Sequence, residues 1–209
     1  VQNNLQRIGS VYSVAKSGVV TGSLGESVIY SLNTATGEVT ISGTGAMTDY
    51  THADYSPFAE YSDMIKSVTI EDGVTSVGTN LFAFCFGLKE VNLPDTITAI
   101  GQWAFLGCVS LDVLYVPTSV TSIGDYAIGY YCDNGKEGEY VKSELNIMGA
   151  TGSFIESYAT EKGLTFVATD TLSNSCGENV IWSFDKETGK LTISGTGDMA
   201  NYTAYYYPS

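Results

Sequence analysis

A segment of the chain repeats itself three times at a fixed spacing of 23 residues. The blocks begin at Ile65, Leu88 and Leu111 and run together to Asp133. Apolar residues recur in the same columns of each block, and two columns are identical: Thr75, Thr98 and Thr121; Gly78, Gly101 and Gly124. Self-similarity at a period of roughly 20 to 50 residues is typical of stacked repeat architectures. The repeat therefore narrows the possible folds before any other feature is considered.

Each block opens with a pattern that predicts a short strand. Ile65, Val68 and Ile70 show the spacing in the first block, and the last two lie on one face of a strand because side chains alternate. One unit cannot bury that face alone, so we expect parallel stacking around a shared core, in other words a solenoid. The identical glycine marks a turn that needs a positive φ or a close backbone approach. The aromatic-rich segments that follow it predict a short helical turn packed into the far side of each coil.

The second block, LKEVNLPDTITAIGQWAFLGC from Leu88 to Cys108, resembles the BspA-like leucine-rich repeat of bacterial surface and secreted proteins. It matches the pattern LxxVxLPxxVTxIGxxAFxxC almost throughout. The third block departs from it, with Ile128 in the phenylalanine column and Cys132 one place late. The resemblance implies a leucine-rich-repeat solenoid that attaches to host proteins, other cells or extracellular matrix.

A second self-similarity lies outside these blocks. GESVIYSLNTATGEVTISGTGAMTDY from Gly25 and GENVIWSFDKETGKLTISGTGDMANY from Gly177 are two copies of the same motif. Alternating apolar residues, a turn from Asn33 to Gly37 and a second alternating run predict an antiparallel β-hairpin in each copy. Such a module beside the repeats also resembles the BspA-like family.

The segment after the repeats predicts a short helix between two strands. Ser153 and Glu156 have the spacing of a capping box, and Gly163 ends the helix. Its apolar stripe consists of Ile155, Tyr158 and Ala159. Because the open end of a repeat stack needs a polar outer side, we interpret residues 142–168 as the C-terminal cap.

The predicted fold is mainly β with short helices: a short parallel leucine-rich-repeat solenoid of 23-residue period, flanked by antiparallel β-hairpin modules. The predicted order is a lead over 1–18, a hairpin module over 19–64, repeats over 65–141, the cap over 142–168 and a second hairpin module over 169–209. The second module stops at Pro208 and Ser209, where the first leads into repeats through Pro57 and Phe58. We therefore expect the chain to be an excerpt of a longer tandem protein.

Composition argues against two classes of partner. Nine basic and 23 acidic residues give a net charge of −14, which repels phosphate backbones and disfavours nucleic-acid binding. No apolar run approaches the roughly 18 to 20 residues of a membrane-spanning helix, so we expect no membrane insertion. The segment 1–18 lacks both a basic start and an apolar stretch, so no signal peptide is recognised there.

The residues that could carry chemistry are few. We expect all four cysteines to be free, buried thiols, because Cys85 and Cys108 share one column and Cys176 aligns with Leu24. The single histidine, His52, is interpreted as a loop residue. We expect no metal and no cofactor, since no ligand cluster has suitable spacing. A paired-carboxylate glycosidase site stays open because carboxyl separation is a three-dimensional quantity. Tyr205–Tyr207 are interpreted as core residues without their partner repeats.

The sequence favours a non-enzymatic surface or secreted module that binds a protein or glycan. The alternative is a structural spacer or accessory region of a larger secreted protein, with any catalytic domain elsewhere. A carbohydrate-active enzyme is a third, less favoured reading. Residues between the buried columns of the strands must point outward, and they form the candidate partner-binding face: Lys66, Ser67 and Thr69; Lys89, Glu90 and Asn92; Asp112, Val113 and Tyr115. Of these, Ser67 and Val113 are placed on the face without a predicted contact role.

Overall fold

The computed structural model describes residues 18–132, 138–169, 171–177, 180–185, 190–196 and 198 of the 209-residue chain. Within these ranges the chain is mainly β with one short α-helix, α1 (Phe154–Lys162), and two single 3₁₀ turns, Ala53–Tyr55 and Ala59–Tyr61. The prediction of a mainly β fold with short helices and parallel strands is confirmed. The strands are β1 (Val19–Ser23), β2 (Val28–Asn33), β3 (Glu38–Gly43), β4 (Gly45–Ala46), β5 (Ser67–Ile70), β6 (Val74–Val77), β7 (Glu90–Asn92), β8 (Ala99–Ile100), β9 (Val113–Tyr115), β10 (Ser122–Ile123), β11 (Tyr130–Cys132), β12 (Tyr140–Lys142), β13 (Asn146–Gly149), β14 (Thr165–Ala168), β15 (Thr171–Gly177), β16 (Val180–Asp185) and β17 (Lys190–Gly195).

The first hairpin segment forms an antiparallel meander of β1, β2 and β3. Along β2, Val28, Tyr30 and Leu32 are buried, as their alternation predicts. The turn that follows is closed by the Asn33 side chain, whose Oδ1 accepts a hydrogen bond from the Ala35 amide at 3.0 Å. Gly37 completes it with φ +80°, a conformation that costs a glycine little. β3 then returns along β2 and offers its other edge to β5.

Parallel strands continue the sheet from β3. β5 pairs with β3 on one side and β7 on the other, so that Val68 lies between Val39 and Val91. A second parallel sheet, in the order β10-β8-β6-β4, gathers the later strand of each repeat block. The paired residues occupy equivalent positions of successive blocks in three strand pairs: β5 with β7, β6 with β8, and β8 with β10. A third parallel sheet, β14-β13-β9, follows, and β11 pairs with β12 in antiparallel fashion.

The identical glycines occupy places of close backbone approach. None of Gly78, Gly101 and Gly124 has a positive φ. A Cβ on Gly101 would lie only 2.5 Å from the Thr79 amide nitrogen, and at Gly78 and Gly124 it would meet the backbone of Thr48 and Gln102. Of the two explanations that the sequence left open for this column, the close approach is therefore the one that holds.

The far side of each block is built from turns, and the predicted helical turn there is wrong. Residues 79–84 and their equivalents form hydrogen-bonded turns. Alternate amides donate to the next block: Phe82 to the Ala104 carbonyl at 2.9 Å, and Phe105 to the Ala127 carbonyl at 2.9 Å. The amides between them donate within their own turn, as Leu106 does to the Trp103 carbonyl at 3.2 Å. Because each amide has one hydrogen to donate, these contacts between blocks replace the helical pattern.

The segment after the repeats has the predicted strand, helix and strand, as β13, α1 and β14. Ile155, Tyr158 and Ala159 are buried, and Gly163 ends the helix with φ +62°. The predicted capping box is wrong, because the Ser153 hydroxyl donates to the Ala150 carbonyl at 2.6 Å and makes no cap bond. The Glu156 carboxylate accepts from the Gly152 amide at 2.6 Å, one residue before the N-cap, while the Ser153 amide donates to the Ala150 carbonyl.

One continuous apolar core joins these elements. It extends from Leu24 in the first meander, through the buried columns of all three blocks, to Ala159 in α1. Neither the α-helix nor any other helix of the described ranges is long and apolar enough to cross a bilayer. The core makes the first meander, the blocks and α1 a single packed structure.

The second hairpin segment forms its own antiparallel sheet, in the order β15-β16-β17. The predictions for residues 1–17, for the Cys176 thiol and for Tyr205–Tyr207 lie outside the described residues and side chains. The predicted domain boundaries stay predictions.

Candidate binding surface

The outward side chains of β5, β7, β9, β13 and β14 form a surface that we call the strand face. Strands alternate buried and outward residues, so the same column that fills the core leaves its neighbours in solvent. In β7, Val91 is buried between exposed Glu90 and Asn92, and in β9 Leu114 is buried between exposed Val113 and Tyr115. All seven predicted contact residues are exposed: Lys66, Thr69, Lys89, Glu90, Asn92, Asp112 and Tyr115.

The polar half of the strand face is formed by β5 and β7. Thr69 lies directly beside Asn92, and Ser67 beside Glu90, in the parallel register. Within β7 the Asn92 side-chain amide donates to Glu90 Oε1 at 3.0 Å, which orients both side chains. The structure therefore brings Thr69, Glu90 and Asn92 together as one polar group of donors and acceptors.

The charged residues lie at the margin of the strand face, just before the strands. The Lys66 ammonium donates to the Asp63 carbonyl at 2.9 Å, so it is turned toward the preceding loop. Lys89 and Asp112 are exposed and are not joined by an ion pair within the described ranges. The Asp112 carbonyl accepts from the Asn146 amide at 2.9 Å, which fixes the start of β9 against β13.

The apolar half of the strand face is formed by β9, β13 and β14. Tyr115, Met148 and Val167 lie side by side across the three strands, and Val113 belongs to the neighbouring row. Tyr115 is 44% exposed, and Val113 and Val167 are exposed to a similar degree. β7 and β9 belong to different sheets but run next to each other, so the two halves adjoin.

Met148 and Val167 are contact candidates that the sequence analysis did not identify. The signal was present for Met148, because Ile147 continues a buried column and the next residue along an alternating strand must point outward. Val167 could not be placed on the strand face without knowing that β14 pairs with β13 in parallel.

The side chains that could act as a base or a nucleophile include His52 and the cysteines. His52 is exposed in a loop, with its ring 6.0 Å from that of Tyr55. Burial raises the pKa of Cys85 to about 12 and raises that of Cys108 as well, so both free thiols are protonated at neutral pH. Cys132 is half-buried. No three His, Cys, Asp or Glu side chains of the described residues are grouped so that they could hold a metal ion.

The repeats match the profile of a known family. The profile of the BspA type leucine rich repeat region matches residues 54–175 in six copies, more than half of the chain. The chain is a member of the BspA-type leucine-rich repeat family. The six copies exceed the three blocks that the sequence analysis recognises, and the matched residues include β13 and β14. No curated protein matches this chain.

Solved structures of bacterial leucine-rich repeat proteins are similar to this BspA-type chain. A leucine-rich repeat protein from Eubacterium ventriosum shares 25% identity over 64% of this chain and 45% of its own, with a TM-score of 0.45. A leucine rich cell surface protein from Faecalibacterium prausnitzii shares 18% identity over 85% of this chain and 61% of its own, with a TM-score of 0.28. The leucine rich repeat protein of T. pallidum shares 20% identity, with a TM-score of 0.28, over 57% of this chain and 67% of its own. The chain thus spans less than half of the Eubacterium ventriosum protein.

Proposed function

We propose that this BspA-type chain is a non-enzymatic binding module, secreted or held at the surface of a bacterium, and that its strand face takes a protein partner from the host, the matrix or another cell. The observation that carries the proposal is the composition of the strand face. A polar group at Thr69, Glu90 and Asn92 adjoins exposed apolar side chains at Tyr115 and Val167. Protein interfaces combine an apolar centre with a polar rim in this way.

We infer that the parallel strands are successive coils of one short solenoid, with one repeat block in each coil. The pairing of Val68 with Val91, and of Ile100 with Ile123, supports this arrangement, because each joins equivalent positions of adjacent blocks. In this reading residues 19–64 are a hairpin module at the start of the solenoid and residues 142–168 close its end. A rigid stack of strands presents its outward side chains at fixed spacing, which suits recognition.

Tyr115 is the expected anchor of the strand face. A tyrosine combines apolar area, a hydroxyl group and few rotatable bonds, and such residues dominate binding energy at many interfaces. Met148 and Val167 extend the apolar surface beside it, and Met adapts its shape to a partner. The marginal charges of Lys89, Asp112 and Lys66 would contribute to the rate of association and to specificity more than to affinity.

The proposal is tested by binding to a panel of purified matrix and host-surface proteins, read out by biolayer interferometry. For any protein that binds, the double variant Asn92→Ala/Tyr115→Ala should weaken binding by roughly tenfold or more, the loss expected when an anchor is truncated. The melting temperature should stay unchanged, because both side chains are exposed.

Tyr55→Ala is the matched control, since Tyr55 is also an exposed tyrosine but belongs to a 3₁₀ turn and to none of the strands of the strand face. It should leave binding intact. Equal losses in both variants would contradict a role for the strand face. A glycan array run with the same proteins decides whether a sugar replaces the protein partner.

The alternative is that the solenoid is a spacer. It is favoured by the second antiparallel sheet, β15-β16-β17, which could be the binding element itself. Deleting residues 171–209 distinguishes the two functions. Binding that survives the strand-face variant but is lost on this deletion would assign recognition to the second sheet and make the solenoid an accessory region.

A further inference from the structure

The two antiparallel sheets at either end of the sequence have the same strand register. In the first, Val19 pairs with Asn33 and Tyr30 with Ile41; in the second, Thr171 pairs with Asp185 and Trp182 with Ile193. Each pair of the first copy thus recurs at the equivalent positions of the second. Gly43 and Gly195, which end β3 and β17, also share a positive φ, +115° and +124°. The first sheet therefore indicates which contacts the equivalent strands of the second sheet can make.

The two sheets differ at one edge. In the first, the outer edge of β3 is paired in parallel with β5, so that Val39 lies beside Val68 and Ile41 beside Ile70. In the second, β17 is the last strand of its sheet. No described strand pairs with its outer edge.

Burial follows this difference in pairing. Val39 and Ile41 are 1% and 0% exposed, because the repeat that follows β3 covers them. Their counterparts Leu191 and Ile193 are 58% and 51% exposed. An unpaired strand edge presents backbone N–H and C=O groups that can pair with another strand, and here two large aliphatic side chains are exposed beside that edge. Natural proteins cover such edges or place charges on them.

We propose that the outer edge of β17, with Leu191 and Ile193, is a docking site for a parallel strand of a further leucine-rich repeat of the β5 type. The first sheet specifies the register: an apolar residue in the role of Val68 beside Leu191, and one in the role of Ile70 beside Ile193. The occupant also needs a third apolar residue in the role of Ile65, which lies in the core that covers β3. This docking edge is separate from the strand face and does not rest on the function proposed for it.

The test extends the chain with its own repeats. A copy of residues 51–168 takes the place of residues 203–209 directly after Tyr202, which corresponds to Tyr50, the residue that precedes this segment in the first module. Hydrogen exchange of the β17 amides is then compared with that of the β3 amides. We expect exchange in β17 to slow by roughly tenfold or more in the extended chain, because paired and covered amides are protected.

Two variants sharpen the result. Leu191→Ser/Ile193→Ser should leave the melting temperature of the unextended chain unchanged but lower that of the extended chain. Changing the appended copies of Val68 and Ile70 to Asp should leave β17 as exchangeable as it is without the extension. A peptide of residues 64–79 added to the unextended chain supplies the same strand in case the appended segment does not fold.

Protection of β17 by either the extension or the peptide supports the proposal. Unchanged exchange in both formats overturns it. So does a dimer of the unextended chain, seen by light scattering and abolished by Leu191→Ser/Ile193→Ser, because the edge would then belong to a second copy.

Discussion

Phe82 lies in the middle of a column of stacked aromatic rings. Its ring is 5.0 Å from that of Phe58 and 5.5 Å from that of Phe105, with interplanar angles of 9° and 8°. Tyr30 from the first meander contacts Phe58 edge-on at 4.9 Å. The column therefore connects the first meander with two repeat blocks, and it ends at Ile128, where the third block lacks the phenylalanine.

Phe82→Ala should destabilise the protein by about 3–5 kcal/mol, the usual cost of removing a fully buried phenylalanine. The ring is fully buried, and its loss leaves a cavity between two flat neighbours that cannot close around it. Urea unfolding followed by circular dichroism measures the change. Phe86→Ala is the control, because this phenylalanine of the same block is exposed and should cost about 0.5 kcal/mol or less. Equal effects of the two variants would contradict the stacked column.

The buried thiols give a second prediction at this scale. Thiolate is the reactive form, and burial raises the pKa values of Cys85 and Cys108. Neither should react with a thiol reagent at pH 8 while the protein is folded. In denaturant without reductant, four thiols should react, and three in Cys85→Ser. A count of two or none in the unfolded wild type would reveal disulfides.

The raised pKa of Cys85 also makes the stability of the fold depend on alkaline pH. Unfolded cysteine ionises near pH 9, whereas folded Cys85 stays protonated to about pH 12. The unfolded state therefore binds fewer protons in this window, and stability falls as pH rises through it.

The sequence predicted which residues are buried but not which residues have an unusual backbone conformation. The buried columns followed from apolar spacing, because that spacing is what packing requires. The left-handed backbone of Trp103 and Tyr126, with φ +56° and +53°, did not follow. Bulky aromatic residues disfavour that region, and at Trp103 a hydrogen bond to the next block holds the backbone there, from its amide to the Asp125 carbonyl at 3.1 Å. Asn80 occupies the same position in the first block, and asparagine tolerates this conformation.

At the scale of elements, the turns after the strands depend on glycine. The Gly101 amide donates to the Val77 carbonyl at 2.8 Å, which holds the turn of one block against the preceding block. The backbone of Gly78 and Thr79 passes so close that a side chain at Gly101 has no space. The obstacle is backbone, which cannot move aside as a flexible side chain could.

Gly101→Ala should therefore destabilise the protein by about 1–3 kcal/mol, the range for forcing an extra group into a packed site. Gln102→Ala serves as the control because it alters the neighbouring residue without adding an atom beside Thr79. Thermal unfolding of the two variants checks the prediction. An unchanged melting temperature in Gly101→Ala would show that adjacent blocks are farther apart than this structure has them.

Elements whose pattern lies in consecutive residues were predicted, and features that depend on a strand distant in sequence were missed. Consecutive residues predicted the strand before α1, the apolar stripe of the helix and its end at Gly163. The bond from Ser153 to the Ala150 carbonyl depends on the path of the chain before the helix. The parallel pairing of β14 depends on the position of β13. For the same reason the outward row of β5, β7 and β9 could be predicted from alternation, whereas its continuation to Val167 could not.

At the scale of the whole molecule, the apolar core determines which parts we expect to unfold together. The core joins the first meander, the repeat blocks and α1, and it includes none of the side chains that the structure describes in β16 and β17. The net charge of −14 on 209 residues adds repulsion throughout. A three-stranded sheet is close to the smallest that is stable by itself, so we expect it to unfold more easily than the core.

We therefore expect two unfolding transitions, with the second sheet unfolding first. The two tryptophans report separately, because Trp103 packs beside a buried cluster of the repeat blocks and Trp182 belongs to β16. In Trp103→Phe the remaining fluorescence should change at a lower urea concentration than in Trp182→Phe, and circular dichroism of the wild type should show both steps. Coincident midpoints would mean that the second sheet shares the cooperative core, because separate probes agree only when one transition unfolds everything.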